Sequence, residues 1–192
     1  MREIVTTALN EASSALEGLR VDERAQAAIA DGGRLLIAAL LSRNRVFSCW
    51  NGGSMCDAMH FAEELSGRFR RDRPALPAVA ISDPAHITCT GNDYGFDQVF
   101  SRYVEAHGRE GDVLVAISTS GESRNVVLAA DRAHALGLKV IGLTGKAGST
   151  LGRAADVEIC TPAGTYSDRV QELHIKVIHI LVELVERAMF SC

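Results

Sequence analysis

Residues 113–136 constrain the fold of this chain more than any other stretch. Residues 113–117 (Val-Leu-Val-Ala-Ile) form a short, unbroken apolar run after Gly111 and Asp112. Such a run is typical of a strand that is buried on both faces. Apolar residues at helical spacing then continue as far as Leu136, and Gly137 is a residue type that commonly ends a helix. The sequence therefore predicts a buried strand that a short loop joins to a helix.

The loop of residues 118–123 carries a hydroxyl group at four of its six positions, namely Ser118, Thr119, Ser120 and Ser123. At a strand-to-helix junction the first backbone N–H groups of the helix lack partners, and the helix dipole favours an anion. Gly121 permits a tight bend, and the hydroxyls add uncharged donors. We interpret the loop as a phosphate cradle. The alternative is an ordinary serine N-cap, which would require only one of these four hydroxyls.

Apolar runs and helical patterns alternate along the rest of the chain. Strands are predicted at residues 45–49, 77–81, 113–117, 139–144 and 157–160, and helices at 3–19, 24–42, 55–69, 97–107 and 168–188, with a short one before the fifth strand. This alternation predicts an α/β fold with a doubly wound, parallel, five-stranded sheet behind two leading helices. No linker divides the chain, so we expect one domain over residues 1–192, with residues 1–42 in oligomer contacts and 45–192 forming the sheet and its helices.

Charge and cysteine content narrow the functional classes. The net charge of −4 argues against a role mainly at nucleic acids or membrane surfaces. The basic run at residues 68–73 is the exception, and we interpret most of it as the end of a helix, where cations suit the dipole. Five cysteines without a C-x-x-C motif favour neither a disulfide framework nor a thiolate metal site, and no apolar run is long enough to span a membrane. We expect a cytoplasmic protein.

Two further polar segments are candidates for ligand contacts. Residues 51–54 (Asn-Gly-Gly-Ser) follow the first strand. In such a sheet they lie on the same edge as residues 118–123, which we call the hydroxyl loop, and ligands bind at this edge. Asn92 and Asp93 are expected in a glycine-flanked loop, where they either hold sugar hydroxyls or form an Asx turn.

Ionisable residues on two predicted helices are candidates for chemistry. His60 and Glu64 are four residues apart and share a helix face, where they could bind a divalent metal, act as an acid–base pair, or make an ordinary surface contact. The last helix carries Gln171 and His179. These two lie about 80° apart around the helix and about 12 Å apart along it. They converge only through long side-chain reach, a bend or a second subunit.

Taken together, these motifs resemble the sugar isomerase (SIS) domain family, which has a flavodoxin-like fold, and most closely its phosphoheptose isomerase branch. The resemblance covers nearly the whole chain and rests on Asn51-Gly-Gly-Ser54, His60-Phe-Ala-Glu-Glu64, Gly91-Asn-Asp93, Ile117-Ser-Thr-Ser-Gly-Glu-Ser123, Leu143-Thr-Gly145 and Arg169-Val-Gln-Glu-Leu-His174 with His179. One departure is Trp50, which stands where the family usually has glycine and needs space beside the first loop.

The resemblance implies a reaction and a site. Sedoheptulose 7-phosphate becomes D-glycero-D-manno-heptose 7-phosphate, the first step toward the ADP-heptose of lipopolysaccharide. It implies a homotetramer with active sites at subunit interfaces and a zinc ion held by His60, Glu64, Gln171 and His179. We expect Glu64 as catalytic base and His179 as acid, acting through an enediolate. The expected substrate contacts are Asn51, Gly52, Gly53, Ser54, Asn92, Asp93, Ser118, Thr119, Ser120, Ser123, Asp168 and Gln171.

Three other functions stay open at this point. A non-catalytic SIS protein that binds the replication initiator would keep the sheet and loops, but it would not need the carboxylate of Glu64 beside His60. A sugar-phosphate-sensing regulator would be expected to carry an added DNA-binding segment. An isomerase of another sugar phosphate fits the same motifs, because a loop does not specify the number of carbons in its sugar.

Overall fold

A computed structural model describes residues 1–161, 164 and 166–190 of the chain. The helices in these residues are α1 (Arg2–Val21), α2 (Glu23–Leu41), α3 (Ser54–Ser66), α4 (Pro84–Tyr94), α5 (Val99–His107), α6 (Arg124–Ala135), α7 (Thr150–Ala154) and α8 (Ser167–Met189). A single 3-10 turn, Phe96–Gln98, precedes α5. The two predicted leading helices are therefore present as α1 and α2.

The strands form one parallel sheet. They are β1 (Val46–Cys49), β2 (Ala78–Ala80), β3 (Val113–Ser118), β4 (Lys139–Thr144) and β5 (Val157–Cys160). Their spatial order is β2-β1-β3-β4-β5, and every neighbouring pair is parallel. The predicted fold class is confirmed. Because β1 and β2 extend to one side and β3 to β5 to the other, the topological switch point lies between β1 and β3.

The central strand β3 supplies side chains to both cores. All six of its residues are buried, and successive side chains point to opposite faces. Val115 packs with Phe61 and Val182 in the core under α2, α3 and α8. Leu114 belongs to the core under α5, α6 and α7. Helices α3 and α8 therefore cover the same face of the sheet, which brings their side chains within reach of each other.

Helix α1 lies outside both cores. None of its residues is buried, and it exposes Ile4, Leu9 and Leu16 while contacting α8 and α2. An exposed apolar stripe of this kind matches the predicted role of residues 1–42 in oligomer contacts, which stays a prediction. None of the helices in the described residues has the length and apolar character needed to cross a membrane.

The segment that contains Asn92 and Asp93 is not the loop that the sequence analysis predicts. Helix α4 covers it, and both residues lie in its last turn. The helix forms because its N-terminus is well capped. The carboxylate of Asp83 accepts a hydrogen bond from the backbone N–H of His86 at 2.7 Å, and Pro84 occupies the first turn. This cap outweighs the helix-breaking tendency of Gly91, and the helix ends before Gly95, whose φ is 88°.

Candidate active site

The loops that follow β1 and β3 are tied together by two side-chain amides. Asn51 follows β1, and Asn125 is the second residue of α6 and is 3% exposed. Each amide donates to the other's oxygen at 2.8 Å. Nothing in the sequence marks Asn125 as a partner of Asn51, since the two residues are 74 positions apart. The pair holds the two predicted substrate loops together at the switch point.

In the hydroxyl loop the side chains turn towards one another. Ser118 Oγ lies 3.3 Å from Ser120 Oγ and 3.0 Å from Ser123 Oγ, and it accepts from the backbone N–H of Gly121 at 3.1 Å. Ser123 is the residue before α6, yet its side chain makes no capping hydrogen bond. A group of three hydroxyls at a helix N-terminus is a suitable environment for an anion, whereas the simple N-cap would have used Ser123 alone.

Gly121 gives this loop its shape. Its φ of 68° is one that side-chain-bearing residues rarely adopt, and an added Cβ would lie 2.1 Å from Ser149 Oγ. The loop is therefore held against the segment that begins α7. The backbone N–H of Leu151 also donates to the Gly121 carbonyl at 2.9 Å.

Helices α3 and α8 bring three ionisable side chains to one point. His60 Nε2 lies 3.3 Å from Glu64 Oε1, as the four-residue spacing predicts. It also lies 2.9 Å from His179 Nε2, across 119 positions of sequence. On the other side of the ring, His60 Nδ1 lies 3.3 Å from Glu63 Oε1. Glu63 therefore contacts the second nitrogen of His60, a contact that the sequence analysis did not predict.

The electrostatic environment favours the neutral form of His179. Burial lowers its pKa, the neighbouring His60 lowers it further, and the carboxylate of Glu64 acts in the opposite direction. A neutral imidazole has a free lone pair on one ring nitrogen, and that is the form in which histidine binds a metal.

The three side chains fit a divalent metal site. His60, Glu64 and His179 each offer one ligand atom, and these atoms all lie within 4.8 Å of one another. Ligands at about 2.1 Å from a tetrahedral zinc ion lie about 3.4 Å apart, close to the spacing of His60 and Glu64. Histidine ligands usually present their second ring nitrogen to a carboxylate, as His60 does to Glu63.

Gln171, the fourth predicted ligand, lies elsewhere among the described contacts. Its side-chain Nε2 donates to Ser54 Oγ at 2.7 Å, which joins α8 to the first residue of α3. Ser54 precedes His60 by six residues, or about 9 Å of helix. Gln171 and Ser54 therefore lie beside the loop of Gly52 and Gly53, and a place for Gln171 among the metal ligands stays a prediction.

The remaining predicted contacts lie at the surface. Asn92 and Asp93 are exposed, and the Asn92 amide donates to Asp93 Oδ1 at 2.7 Å. Asp168 is exposed in the first turn of α8, where its carboxylate accepts from the backbone N–H of Arg169. In the part of the chain that the structure describes, no hydrogen bond joins these three residues to the hydroxyl loop or to the three ligands.

Trp50 does not crowd the first loop. The indole is 3% exposed and packs edge-to-face on His174, with ring centroids 5.3 Å apart. The space it needs lies in the core between β1 and α8. His174 Nε2 lies 3.3 Å from the Thr144 carbonyl oxygen, and within the described residues its Nδ1 has no partner. Burial in this apolar setting lowers the pKa of His174 to about 4.

The comparisons with known proteins agree with this arrangement. The family model described as "SIS domain" matches residues 9–145, and the loops and sheet edge described above lie within or beside that match. Fold and site together define the chain as a SIS domain protein of the sugar isomerase type.

Similarity to individual proteins narrows the class. The chain is 54% identical over 190 residues to the phosphoheptose isomerase of Edwardsiella ictaluri, covering 99% of this chain and 98% of that one. It is 54% identical over 188 residues to that of Aeromonas hydrophila, covering 98% of each. The structure of phosphoheptose isomerase from Neisseria gonorrhoeae superposes with a TM-score of 0.89 at 37% identity, over 96% of this chain and 98% of that one. The chain belongs to the phosphoheptose isomerase family.

His174 predicts a specific pH dependence of stability. Its folded-state pKa of about 4 is below its ordinary value, so between about pH 6.5 and pH 4 the unfolded state binds the extra proton. The free energy of unfolding should therefore fall as the pH falls through this window. In His174→Phe the fall should be smaller by as much as about 3 kcal/mol. Urea unfolding of both proteins at several pH values measures the difference, and equal pH dependence would contradict the assignment.

Proposed function

We propose that this protein is an aldose–ketose isomerase that converts sedoheptulose 7-phosphate to D-glycero-D-manno-heptose 7-phosphate. The observation that carries the proposal is the convergence of His60 and Glu64, on the helix α3 that begins at the first substrate loop, with His179 on α8. Family membership at 54% identity supplies the substrate class. A non-catalytic SIS protein would have no use for a carboxylate within 3.3 Å of His60.

The reaction moves a carbonyl from C2 to C1 of the sugar. A base must remove a proton from C1, which leaves an enediolate, and must return a proton to C2. Glu64 is the base in this proposal, and its carboxylate oxygen Oε1 lies 3.3 Å from His60 Nε2. His179 transfers the proton between the two sugar oxygens. Its Nε2 faces His60, so Nδ1 is the nitrogen that exchanges the proton: it donates to O2 and then recovers a proton from O1.

His60, Glu64 and His179 would hold a zinc ion, with Gln171 as the proposed fourth ligand. When bound, zinc supplies a positive charge that polarises the carbonyl and stabilises negative charge on the neighbouring oxygens. The lowered pKa of His179 and the contact of His60 with Glu63 both favour metal binding.

The phosphate of the sugar would lie in the hydroxyl loop. Ser118, Ser120 and Ser123 supply hydroxyl donors, Thr119 adds a fourth, and the first turn of α6 supplies backbone N–H groups. The Asn51–Asn125 pair fixes the distance between this loop and the loop of Gly52 and Gly53. Binding energy at the remote phosphate then places C1 and C2 near Glu64.

We further propose a cytoplasmic homotetramer that serves heptose supply for lipopolysaccharide, with active sites at subunit interfaces. Two features of the single chain support interfacial sites. Helix α1 exposes an apolar stripe, and Asn92 and Asp93 lie at the surface in a separate helix. A second subunit could bring such residues to the hydroxyl loop.

Replacing the base should slow the reaction. Glu64→Gln keeps the side-chain shape and removes the proton acceptor, so kcat should fall by about 10²- to 10⁴-fold. Steady-state assays on sedoheptulose 7-phosphate measure kcat, and circular dichroism checks the fold. Glu105→Gln, at an exposed position of α5, is the matched control and should retain native kcat. A native kcat in Glu64→Gln would contradict the assignment. Activity of the native chain only on sugar phosphates of other lengths would contradict the substrate.

Metal content should depend on His60. Elemental analysis of protein purified without chelator should find zinc, and His60→Ala should lose most of it because one of two imidazole ligands is removed. His134→Ala is the matched control, since His134 contacts Asp156 at the surface and takes no part in the cluster. Equal zinc in His60→Ala and His134→Ala would contradict the metal site.

The hydroxyl loop should determine affinity for phosphorylated sugars. Ser120→Ala removes a donor to a charged group, so KM for sedoheptulose 7-phosphate should rise about 10- to 100-fold. Sedoheptulose without its phosphate is the control substrate, and its turnover should be the same in both proteins. An unchanged KM for the phosphorylated sugar would contradict a phosphate cradle at this loop.

A further inference from the structure

A buried ion pair joins the end of α3 to α8. Arg73 lies between α3 and β2, and its Nε is 3.2 Å from Glu186 Oε1 on α8. The side chains are 2% and 9% exposed. Burying two charges is expensive, and such a pair is often no more stabilising than apolar residues of the same volume. The pair therefore calls for an explanation beyond stability.

Arg73 also caps α3. One terminal guanidinium nitrogen donates to the Glu64 carbonyl at 2.5 Å, and the other donates to the carbonyls of Leu65 at 2.6 Å and Gly67 at 3.3 Å. The last carbonyls of a helix have no N–H partner within the helix, and a cation there also suits the helix dipole. Helix α3 ends at Ser66, so the interpretation of the basic run of residues 68–73 as the end of a helix is wrong for most of the run. Only its last arginine contacts the final carbonyls of the helix.

These contacts reach the three ligands through the backbone. The Glu64 carbonyl that Arg73 holds belongs to the residue whose carboxylate faces His60. Glu186 follows His179 by seven residues, which is two turns of α8 and nearly the same helix face. Arg73 thus connects the residue Glu64 on one helix with the face of α8 that carries His179.

We propose that Arg73 is a positioning residue that sets the separation of Glu64 and His60 from His179 through its bonds to the α3 carbonyls and to Glu186. The proposal rests on the proposed function, in that the same three side chains form the metal and proton-transfer site. Arg73 does not touch the substrate in this account. Its loss should therefore affect metal affinity and kcat and leave KM, which the hydroxyl loop governs, unchanged.

The test uses the double variant Arg73→Met/Glu186→Leu, which replaces the ion pair with apolar side chains of similar volume and leaves no buried charge unpaired. The full-length protein should keep its circular dichroism spectrum, while its dissociation constant for zinc, measured against a chelating dye, should rise about 10- to 100-fold. Its kcat should fall, with KM within about twofold of native. Arg187→Met is the matched control. Arg187 follows Glu186 directly in α8 and forms a surface ion pair with Glu183, so this variant should keep the native zinc affinity and kcat.

The zinc affinity of Arg73→Lys tests the same proposal if the double variant does not fold. Lysine keeps the charge opposite Glu186, but its single ammonium group cannot reproduce the planar set of bonds to three carbonyls and a carboxylate. Weaker zinc binding in Arg73→Lys supports the positioning role. Native zinc affinity in Arg73→Lys, or in a folded double variant, overturns it. Absence of isomerase activity in the unmodified chain would instead contradict the proposed function, because zinc affinity is measured without substrate.

Discussion

The contact between His60 and His179 is the interaction on which the proposed chemistry depends. It joins residues that are 119 positions apart and lie on different helices. Nothing near either histidine in the sequence indicates this contact. The contact exists because α3 and α8 pack on the same face of the sheet, over a core that includes Phe61, Val115 and Val182. The burial of that apolar face offsets the conformational entropy that is lost when the two helices come together. An attraction between the imidazoles is not needed for this.

The parallel sheet places the rest of the site. Because β1 and β3 are neighbours at the switch point, the loops that follow them open on the same edge, and the Asn51–Asn125 pair joins the two loops. In the proposed function the hydroxyl loop holds the phosphate of the sugar, and the helix that begins at the first loop carries His60 and Glu64. Arg73 completes this arrangement from the opposite end of α3.

Sequence alone predicted the features that depend on local chemistry. The apolar runs predicted all five strands to within one residue at each end, and β4 and β5 agree at both ends. Helical spacing gave the His60–Glu64 pair. The sequence analysis was wrong to expect Asn92 and Asp93 in a loop, because it did not take account of the helix cap at Asp83. It did not find Asn125, Arg73 or the role of Glu63, since their partners are set by tertiary packing or by side-chain reach that spacing does not reveal.

The central claim is that Glu64, His60 and His179 form one site for proton transfer through an enediolate. Proton NMR of the native chain acting on sedoheptulose 7-phosphate in deuterated water tests it most directly. The account predicts that the aldose product carries deuterium at C2, because the proton taken from C1 exchanges with solvent before it is returned. Entry of deuterium at the native rate in Glu64→Gln would place the base at another residue and would contradict the account, as would the absence of product from the native chain.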